Sequence, residues 1–159
     1  MRFLVFSDSH GNTAAMERVA SEYLPSLNYI IHLGDLVRDA EGLRRKFPTV
    51  EVISIPGNND WEYRGRTELF LALGGVRTLL LHGHTAGVIG GTASLEAKAA
   101  RLGAALVLYG HTHKYAEFWR GGTLFINPGS PSFPRGGSGR SCALVELGEG
   151  IRAERIEIE

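Results

Sequence analysis

The sequence has 159 residues, 43% of them hydrophobic, and its 17 lysine and arginine residues balance 17 aspartate and glutamate residues. This length and apolar content suit one domain, which we expect to span residues 1–159. A formal net charge of zero argues against a stable complex with nucleic acid or an anionic membrane surface, because both need an excess of basic residues.

The first part of the chain alternates predicted strands with predicted helices. Short apolar runs bounded by turn residues predict strands at 2–6, 28–33 and 49–55. The spacing of apolar residues predicts a helix at 13–24, and a short helix is expected at about 39–46. This strand–helix–strand order implies parallel strands joined by right-handed crossovers.

The second part contains hairpin signals and one further helix. Apolar runs flank Gly74–Gly75, Gly121–Gly122 and the turn at 148–150, and each pair of runs predicts a β-hairpin. A helix is expected at 93–102 and a buried strand at 104–109. The fold class predicted from these elements is α/β with mixed sheets, and two stacked sheets fit the number of hairpins.

Three further features bear on where the protein works. The single cysteine, Cys142, cannot form an internal disulfide, which fits a reducing cytoplasm and a core position. The N-terminal segment enters a polar motif by residue 7, so we expect no secretory signal. No apolar stretch approaches the roughly 20 residues of a membrane span. The sequence therefore predicts a cytoplasmic location.

Side chains that bind metals follow the predicted strands. They are Asp8 and His10, Asp35, Asn58, His82, and His111 with His113. Because ligands of α/β proteins bind at the carboxyl ends of strands, we expect these seven side chains to share one cleft. Seven such groups exceed the four ligands of a closed zinc site. They suit two metal ions that share a carboxylate, an arrangement that catalyses in-line displacement at phosphorus.

The donor atoms also indicate which metals would bind. Imidazole, carboxylate and amide groups without a thiolate favour Mn, Fe, Ni or Zn over Ca or Mg. The predicted cofactor is two divalent transition-metal ions per chain, with Mn as first choice. Without such ions, the buried charges of the site would be costly.

In this order, the motifs resemble those of the calcineurin-like metallophosphoesterase superfamily. They are Asp-x-His, Gly-Asp, Gly-Asn-Asn-Asp, His-Gly and Gly-His-x-His, and the stretch Asn127–Ser130 resembles the small bacterial and archaeal phosphodiesterase subgroup. The resemblance implies a four-layer α/β/β/α sandwich with two mixed sheets and a binuclear metal site at the strand ends. The ligand roles that it implies are Asp8, His10 and His113 on the first metal, Asp35 as the bridge, and Asn58, His82 and His111 on the second metal.

The resemblance implies hydrolysis of phosphoesters. The leading hypothesis is a phosphodiesterase that acts on small phosphodiesters or nucleotides, in which a hydroxide bridging the two metals attacks phosphorus. Two alternatives are a non-catalytic protein-binding scaffold, since a retromer subunit is similar in fold to this family, and a protein phosphatase. The complete set of ligand types argues against the scaffold, and the small size of the chain argues against the phosphatase.

Three residues are candidates for direct work on the substrate. Many family members have His directly after the metal-binding Asn, where it helps protonate the leaving group, but this chain has Asn59. An amide does not titrate, so Asn59 is expected only to hydrogen-bond the phosphate. His84 is either a loop histidine or a substrate contact and replacement acid. Arg135 is either a solvated surface residue or a phosphate clamp.

Other polar residues near these motifs have both a structural and a functional interpretation. His32, inside a predicted strand, is expected to be structural, with support of the metal ligands as the alternative. Asp60 is expected to cap a loop or support the ligands rather than bind metal itself. Asn12 is expected to cap the first helix, with a contact to the phosphate as the alternative.

Aromatic residues follow the Gly-Asn-Asn-Asp motif directly. Trp61 and Tyr63, with Arg64, suit packing or a contact between subunits, and an aromatic wall for a nucleobase or aryl group is the alternative. Together with the hairpin edges, they are compatible with a homo-oligomer.

Overall fold

The computed structural model describes all 159 residues and contains ten strands and three α-helices. The strands are β1 Arg2–Phe6, β2 Tyr29–His32, β3 Glu51–Ser54, β4 Glu68–Leu73, β5 Val76–Leu81, β6 Leu106–Tyr109, β7 Tyr115–Arg120, β8 Thr123–Pro128, β9 Ser141–Leu147 and β10 Ile151–Glu157. The helices are α1 Thr13–Tyr23, α2 Val37–Lys46 and α3 Ala93–Leu102. Short 3-10 turns, which the sequence patterns did not predict, lie at Leu24–Ser26, His84–Ala86 and Val88–Gly90. No helix combines the length and apolar character needed to cross a membrane.

The strands form two mixed sheets of five strands each. The first sheet has the order β10-β9-β1-β2-β3, in which β1, β2 and β3 run parallel and β9 pairs antiparallel with both of its neighbours. The second has the order β4-β5-β6-β8-β7, with a parallel centre and an antiparallel strand at each edge. The predicted mixed sheets and the three predicted hairpins are confirmed.

The alternation of side chains along β1 explains how the layers stack. Successive residues of a strand point to opposite faces of its sheet. Phe3 and Val5 lie in the apolar core shared with the second sheet, whereas Leu4 and Phe6 lie in a core shared with α1 and α2. On the far side of the second sheet, Leu95 of α3 is fully buried. The layers are therefore helices, sheet, sheet and helix, as the resemblance implied.

The two helices nearest the polar strand ends begin with different caps. In α1, the Asn12 side chain accepts a hydrogen bond from the Ala15 backbone N–H, which is the predicted cap. Helix α2 begins at Val37, two residues before the predicted start. Its first N–H is satisfied from a distant loop, because the Val37 N–H donates to the Asp60 carboxylate at 2.7 Å. No local pattern contains that partner.

Burial predicts that Cys142 is inert in the folded protein. Its side chain is inaccessible to solvent, and burial raises the pKa of the thiol, so thiolate is scarce. We expect no reaction of the native protein with 5,5′-dithiobis(2-nitrobenzoic acid), and one thiol per chain after denaturation, as measured by the absorbance of the released thiolate. Rapid stoichiometric labelling of the folded protein would contradict the packing of β9 under the helices.

Candidate metal centre

The candidate ligands lie in loops that follow five strands at one end of the two sheets. Asp8 and His10 follow β1, Asp35 follows β2, Asn58 follows β3, His82 follows β5, and His111 and His113 follow β6. Both sheets contribute, three strands from the first and two from the second. The site therefore lies across the junction of the sheets, where the sequence analysis expects it.

The first compact group consists of Asp8, His10 and His113. One donor atom from each residue lies within 4.8 Å of the others. The Nε2 atom of His113 is 3.3 Å from Asp8 Oδ1 and 3.4 Å from His10 Nε2. These are the three residues that the family resemblance assigns to the first metal.

The second compact group consists of Asp8, Asp35 and His82, again within 4.8 Å of one another. The Nε2 atom of His82 is 3.6 Å from Asp35 Oδ2 and 3.1 Å from Asn58 Oδ1. Asp35 Oδ2 is also 3.9 Å from His10 Nε2. This carboxylate oxygen therefore lies within 4 Å of imidazoles from both groups, and Asp8 is a member of both.

Two further imidazoles stand beside these groups rather than inside them. The ring of His111 is 5.1 Å from that of His82, and the ring of His84 is 5.4 Å from it, measured between centroids. Burial and the neighbouring His82 both lower the pKa of His84 and of His111. The backbone N–H of His111 donates to Asp8 Oδ2 at 2.9 Å, so this loop also holds the central carboxylate.

Backbone carbonyls determine how the central imidazoles are protonated. His82 Nδ1 is 2.7 Å from the Leu33 carbonyl, and His113 Nδ1 is 2.7 Å from the Phe133 carbonyl. A carbonyl oxygen only accepts hydrogen bonds, so Nδ1 carries the proton in both rings. In the neutral rings, both Nε2 atoms then present lone pairs toward the carboxylates. Carbonyls that orient imidazoles in this way are typical of metal sites.

One oxygen of the two central carboxylates is buried without a hydrogen-bond donor. Asp8 and Asp35 are 0% and 2% exposed, and Asp8 Oδ1 is buried without a hydrogen-bond partner. Burial raises the pKa of Asp8, but the adjacent His113 and His82 outweigh this effect and lower it overall. Burial likewise lowers the pKa of His113, and Asp8 reverses the direction. An unpartnered oxygen that faces imidazole lone pairs fits a divalent cation between them.

The backbone at the site is in an unusual conformation. The chain has five non-glycine residues with positive φ, and all five are candidate ligands: Asp8, His10, Asp35, His111 and His113, with φ between 45° and 70°. Each such residue costs on the order of 1 kcal/mol or more. The loops keep this conformation through hydrogen bonds between them, including Asp8 N–H to the Gly34 carbonyl and His10 N–H to the Asp35 carbonyl.

Close backbone approaches at the site require glycine at two positions. A Cβ atom at Gly57 would overlap the Asp35 carboxylate, and one at Gly110 would overlap the Ser7 hydroxyl. Any side chain at either position would therefore displace a candidate ligand loop. This close packing explains why glycine stands next to the candidate ligands at these two positions of the sequence.

A buried network under the first loop is the part of the site that sequence reasoning missed. The Ser9 hydroxyl donates to Asp39 Oδ2 at 2.7 Å and is 2.8 Å from His32 Nε2. The Gly34 N–H donates to His32 Nδ1 at 3.3 Å, so the Nε2–H of the neutral ring donates to Ser9. Asp39 also accepts the Gly11 N–H at 2.7 Å. The one signal in the sequence was an acidic residue, Asp39, at the expected start of the second helix, and only the structure shows that it is buried.

The remaining candidates take up different positions around this centre. The Asn59 amide donates to Asp35 Oδ2 at 2.6 Å, and its backbone N–H donates to Oδ1 at 2.9 Å. Asp60 accepts the N–H groups of Asp35, Val37 and Gly57, and thus ties two loops together. The Arg135 side chain is exposed and makes no ion pair, and the backbone N–H of Arg135 donates to the His113 carbonyl.

Comparisons with known proteins agree with this geometry. Residues 1–150 match the sequence profile described as the calcineurin-like phosphoesterase superfamily domain. The chain is 31% identical to the probable metallophosphoesterase YsnB of Bacillus subtilis, over 92% of this chain and 85% of that protein. It is 28% identical to the phosphodiesterase YfcE of Escherichia coli K12, over 92% of this chain and 88% of that protein.

Solved structures show the same fold. A conserved protein from Streptococcus pneumoniae TIGR4, described as a predicted phosphoesterase, superposes with a TM-score of 0.81 at 29% identity and covers 99% of this chain and 92% of its own. Vps29 of Entamoeba histolytica, in a complex with Zn²⁺, superposes with a TM-score of 0.76 at 21% identity and covers 98% of both chains. At that identity, the second likeness concerns the fold alone.

The buried network predicts a specific dependence of stability on pH. Burial lowers the pKa of His32 in the folded protein from 6.5 to about 4, although Asp39 partly opposes the shift. As the pH falls through 6.5, the unfolded chain therefore takes up the proton first, and stability is lost.

We expect the free energy of unfolding of the wild type to fall by about 2 kcal/mol more than that of His32→Gln between pH 7 and pH 5. Glutamine cannot titrate but still offers an amide donor to Ser9. Urea denaturation of both proteins, with chelator present, measures the difference. Parallel pH profiles would show that His32 is not held neutral.

Proposed function

Because this chain belongs to the calcineurin-like phosphoesterase superfamily, we propose that it is a binuclear metal-dependent phosphodiesterase that acts on small phosphodiesters or nucleotides. The observation that carries the proposal is the convergence of imidazole lone pairs on the buried Asp8 and Asp35 carboxylates. The name of the relative YfcE supports a diester as the substrate.

In this proposal, the seven candidate residues hold two divalent ions. Asp8, His10 and His113 would hold the first, Asp35 would be shared, and Asn58, His82 and His111 would hold the second. Once bound, the ions supply Lewis acidity, which lowers the pKa of water and offsets charge on phosphoryl oxygens. The nitrogen and oxygen donors suit Mn, Ni, Fe and Zn. Mn remains our first choice among these four metals.

The protein's own groups then have distinct tasks. Asn59 donates twice to Asp35 and so orients the proposed bridging carboxylate. Its predicted hydrogen bond to the phosphate would require the same amide to turn away from Asp35 or to donate a second time. The Leu33 and Phe133 carbonyls keep His82 and His113 turned with Nε2 toward the centre. Positioning of this kind lets charge develop on the substrate without rearranging the site.

Two side chains at the rim are suited to contact the substrate. The exposed guanidinium of Arg135, on the loop that bonds His113, is free to clamp a phosphoryl oxygen in the fork geometry that arginine favours. His84 is half-buried beside His82 and His111, and its Nδ1 has no hydrogen-bond partner. We propose that His84 contacts the substrate or its leaving group.

The scaffold and protein-phosphatase alternatives have less support. A scaffold does not need five strained residues in three candidate ligand loops or a buried carboxylate oxygen without a donor, both of which are costly unless a cation is bound. A protein phosphatase needs a groove for its protein substrate, and the chain adds no further element to the two sheets and three helices. A small substrate therefore suits this site better.

Removal of a central carboxylate should abolish turnover. We expect Asp8→Asn to lower kcat/KM for bis(p-nitrophenyl) phosphate by more than about 100-fold with Mn²⁺ present, because Asp8 is proposed to hold the first metal and lies in both compact groups of side chains. Release of p-nitrophenolate measures the rate, and metal analysis after dialysis measures bound ions. Glu149→Gln, on the exposed β9–β10 turn, is the control. Full activity of Asp8→Asn would rule out this metal site.

Loss of the proposed clamp should weaken catalysis without abolishing it. We expect Arg135→Gln to lower kcat/KM for the same diester by about tenfold, since charge-assisted hydrogen bonds contribute about 1.5–3 kcal/mol. Arg135→Lys should keep part of the activity, because a point charge replaces the fork. The exposed Arg152→Gln serves as the control. Equal rates for Arg135→Gln and the wild type would leave Arg135 a surface residue.

A further inference from the structure

A cleft opens beside the candidate metal centre, between the start of α2 and the loop that follows Asn58. Its volume is about 590 Å³, within the range of small-molecule sites. One wall is formed by Leu36, Val37 and Arg38, and the other contains Asn59, Trp61 and Tyr63. Nothing in the proposed hydrolysis uses this cleft.

The cleft is continuous with the centre through one residue. Asn59 lines the cleft, and its amide donates to the Asp35 carboxylate at 2.6 Å. A phosphoryl group bound at the centre beside Asp35 would therefore be separated from the cleft by Asn59. A substituent of that phosphoryl group would have to pass Asn59, which is exposed, to enter the cleft.

The two walls of the cleft are joined by Asp60. Its Oδ1 accepts the Val37 N–H at 2.7 Å, and its Oδ2 accepts the N–H groups of Asp35 at 2.9 Å and Gly57 at 2.8 Å. One carboxylate thus fixes the start of α2 against the turn after β3. A site held in this way needs little ordering when a ligand binds.

The aromatic side chains of the cleft are not buried in the apolar core. Trp61 is 82% exposed and Tyr63 is 47% exposed, although both are large and apolar enough to favour burial. The ring of Tyr63 lies against Gly65, where a Cβ atom would overlap it, so the backbone positions the ring. Flat rings at the entrance to a preformed cleft suit stacking with another flat ring.

The charges in the cleft argue against a second anionic group. Arg38 lies there with Glu41 and Glu62, and all three are exposed. With Asp60, three carboxylates and one guanidinium line the cleft, which disfavours a further phosphate, whereas a neutral ring carries no charge for the carboxylates to repel. The same guanidinium can lie over a ring or donate to its polar edge.

From these observations the geometry points to the cleft as a specificity site that binds an aromatic ring, nucleobase or aryl group, attached to the phosphoryl group at the metal centre, with Trp61 as the stacking surface. This inference rests on the proposed function, because the phosphoryl group must sit at that centre. It adds the substrate class, phosphoesters whose alcohol group carries an aromatic ring, such as nucleotides and aryl esters, rather than simple alkyl esters.

A binding experiment tests the inference independently of turnover. The chain has two tryptophans, Trp61 and Trp119. The variant Trp119→Phe leaves Trp61 as the only indole emitter, and Trp119 lies on an edge strand away from the cleft. Adenosine 5′-monophosphate and phenyl phosphate are titrated into the metal-loaded variant, with ethyl phosphate as the alkyl control. We expect saturable quenching by one or both aromatic probes, and none by ethyl phosphate.

A kinetic experiment tests specificity with matched inhibitors of bis(p-nitrophenyl) phosphate hydrolysis. For the wild type, we expect the monoesters that carry an aromatic ring to inhibit at about tenfold lower concentration than ethyl phosphate. Trp61→Ala should remove this difference and leave inhibition by ethyl phosphate unchanged within about twofold. Trp61→Phe should keep most of it, and Trp119→Ala, which removes the other exposed tryptophan, should keep all of it.

The outcomes separate the two proposals. Quenching by only one aromatic probe supports the cleft and identifies its natural group as nucleobase or aryl. If no aromatic probe quenches Trp61 while the diester is hydrolysed, the cleft proposal is wrong and the proposed function stands. If quenching occurs but no phosphoester is hydrolysed, the proposed function is wrong. Emission from Trp61 that changes with protein concentration alone would assign this loop to a contact between copies and overturn the cleft proposal.

Discussion

The structure depends on one electrostatic constraint, the convergence of hydrogen-bond acceptors at a buried point between two sheets. Asp8 and Asp35 are almost inaccessible to solvent, and the imidazoles that face them have their protons committed to backbone carbonyls. Acceptors facing acceptors in a medium of low dielectric repel, and burial removes the water that would relieve them. A divalent cation relieves this repulsion, so the charge arrangement and the metal requirement have the same cause.

This constraint explains how the chain uses its aspartates. All four lie at the site: Asp8 and Asp35 in its centre, Asp39 and Asp60 in its support. The remaining acidic residues of the chain are glutamates. A short side chain keeps the carboxylate close to its own backbone, which suits tight loops and tolerates the left-handed conformation better than longer side chains. The globally neutral chain thus concentrates its aspartates where cations would bind.

The strand ends carry the candidate metal ligands, whereas an outer loop carries the aromatic residues proposed to select the substrate. The candidate ligands directly follow strands of two packed sheets, and hydrogen bonds between their loops hold the backbone there. The aromatic side chains at 61–63 belong to an exposed loop attached to that frame by Asp60. In the proposed function, the phosphoryl chemistry would therefore belong to the strand ends, and the choice of substituent to this loop and the start of α2.

Much of the fold and the candidate site followed from the sequence alone. Periodicity and turn residues are local, so the strands, the three hairpins and α1 were predicted, and strand-end positions identified Asp8, Asp35 and their partners. The start of α2 at Val37, the Ser9–His32–Asp39 network and the pairing of Asn59 with Asp35 were not. Each depends on a hydrogen-bond partner that is distant in sequence. Tertiary structure decided them, because a buried donor or acceptor must find whichever partner the packed sheets bring near it.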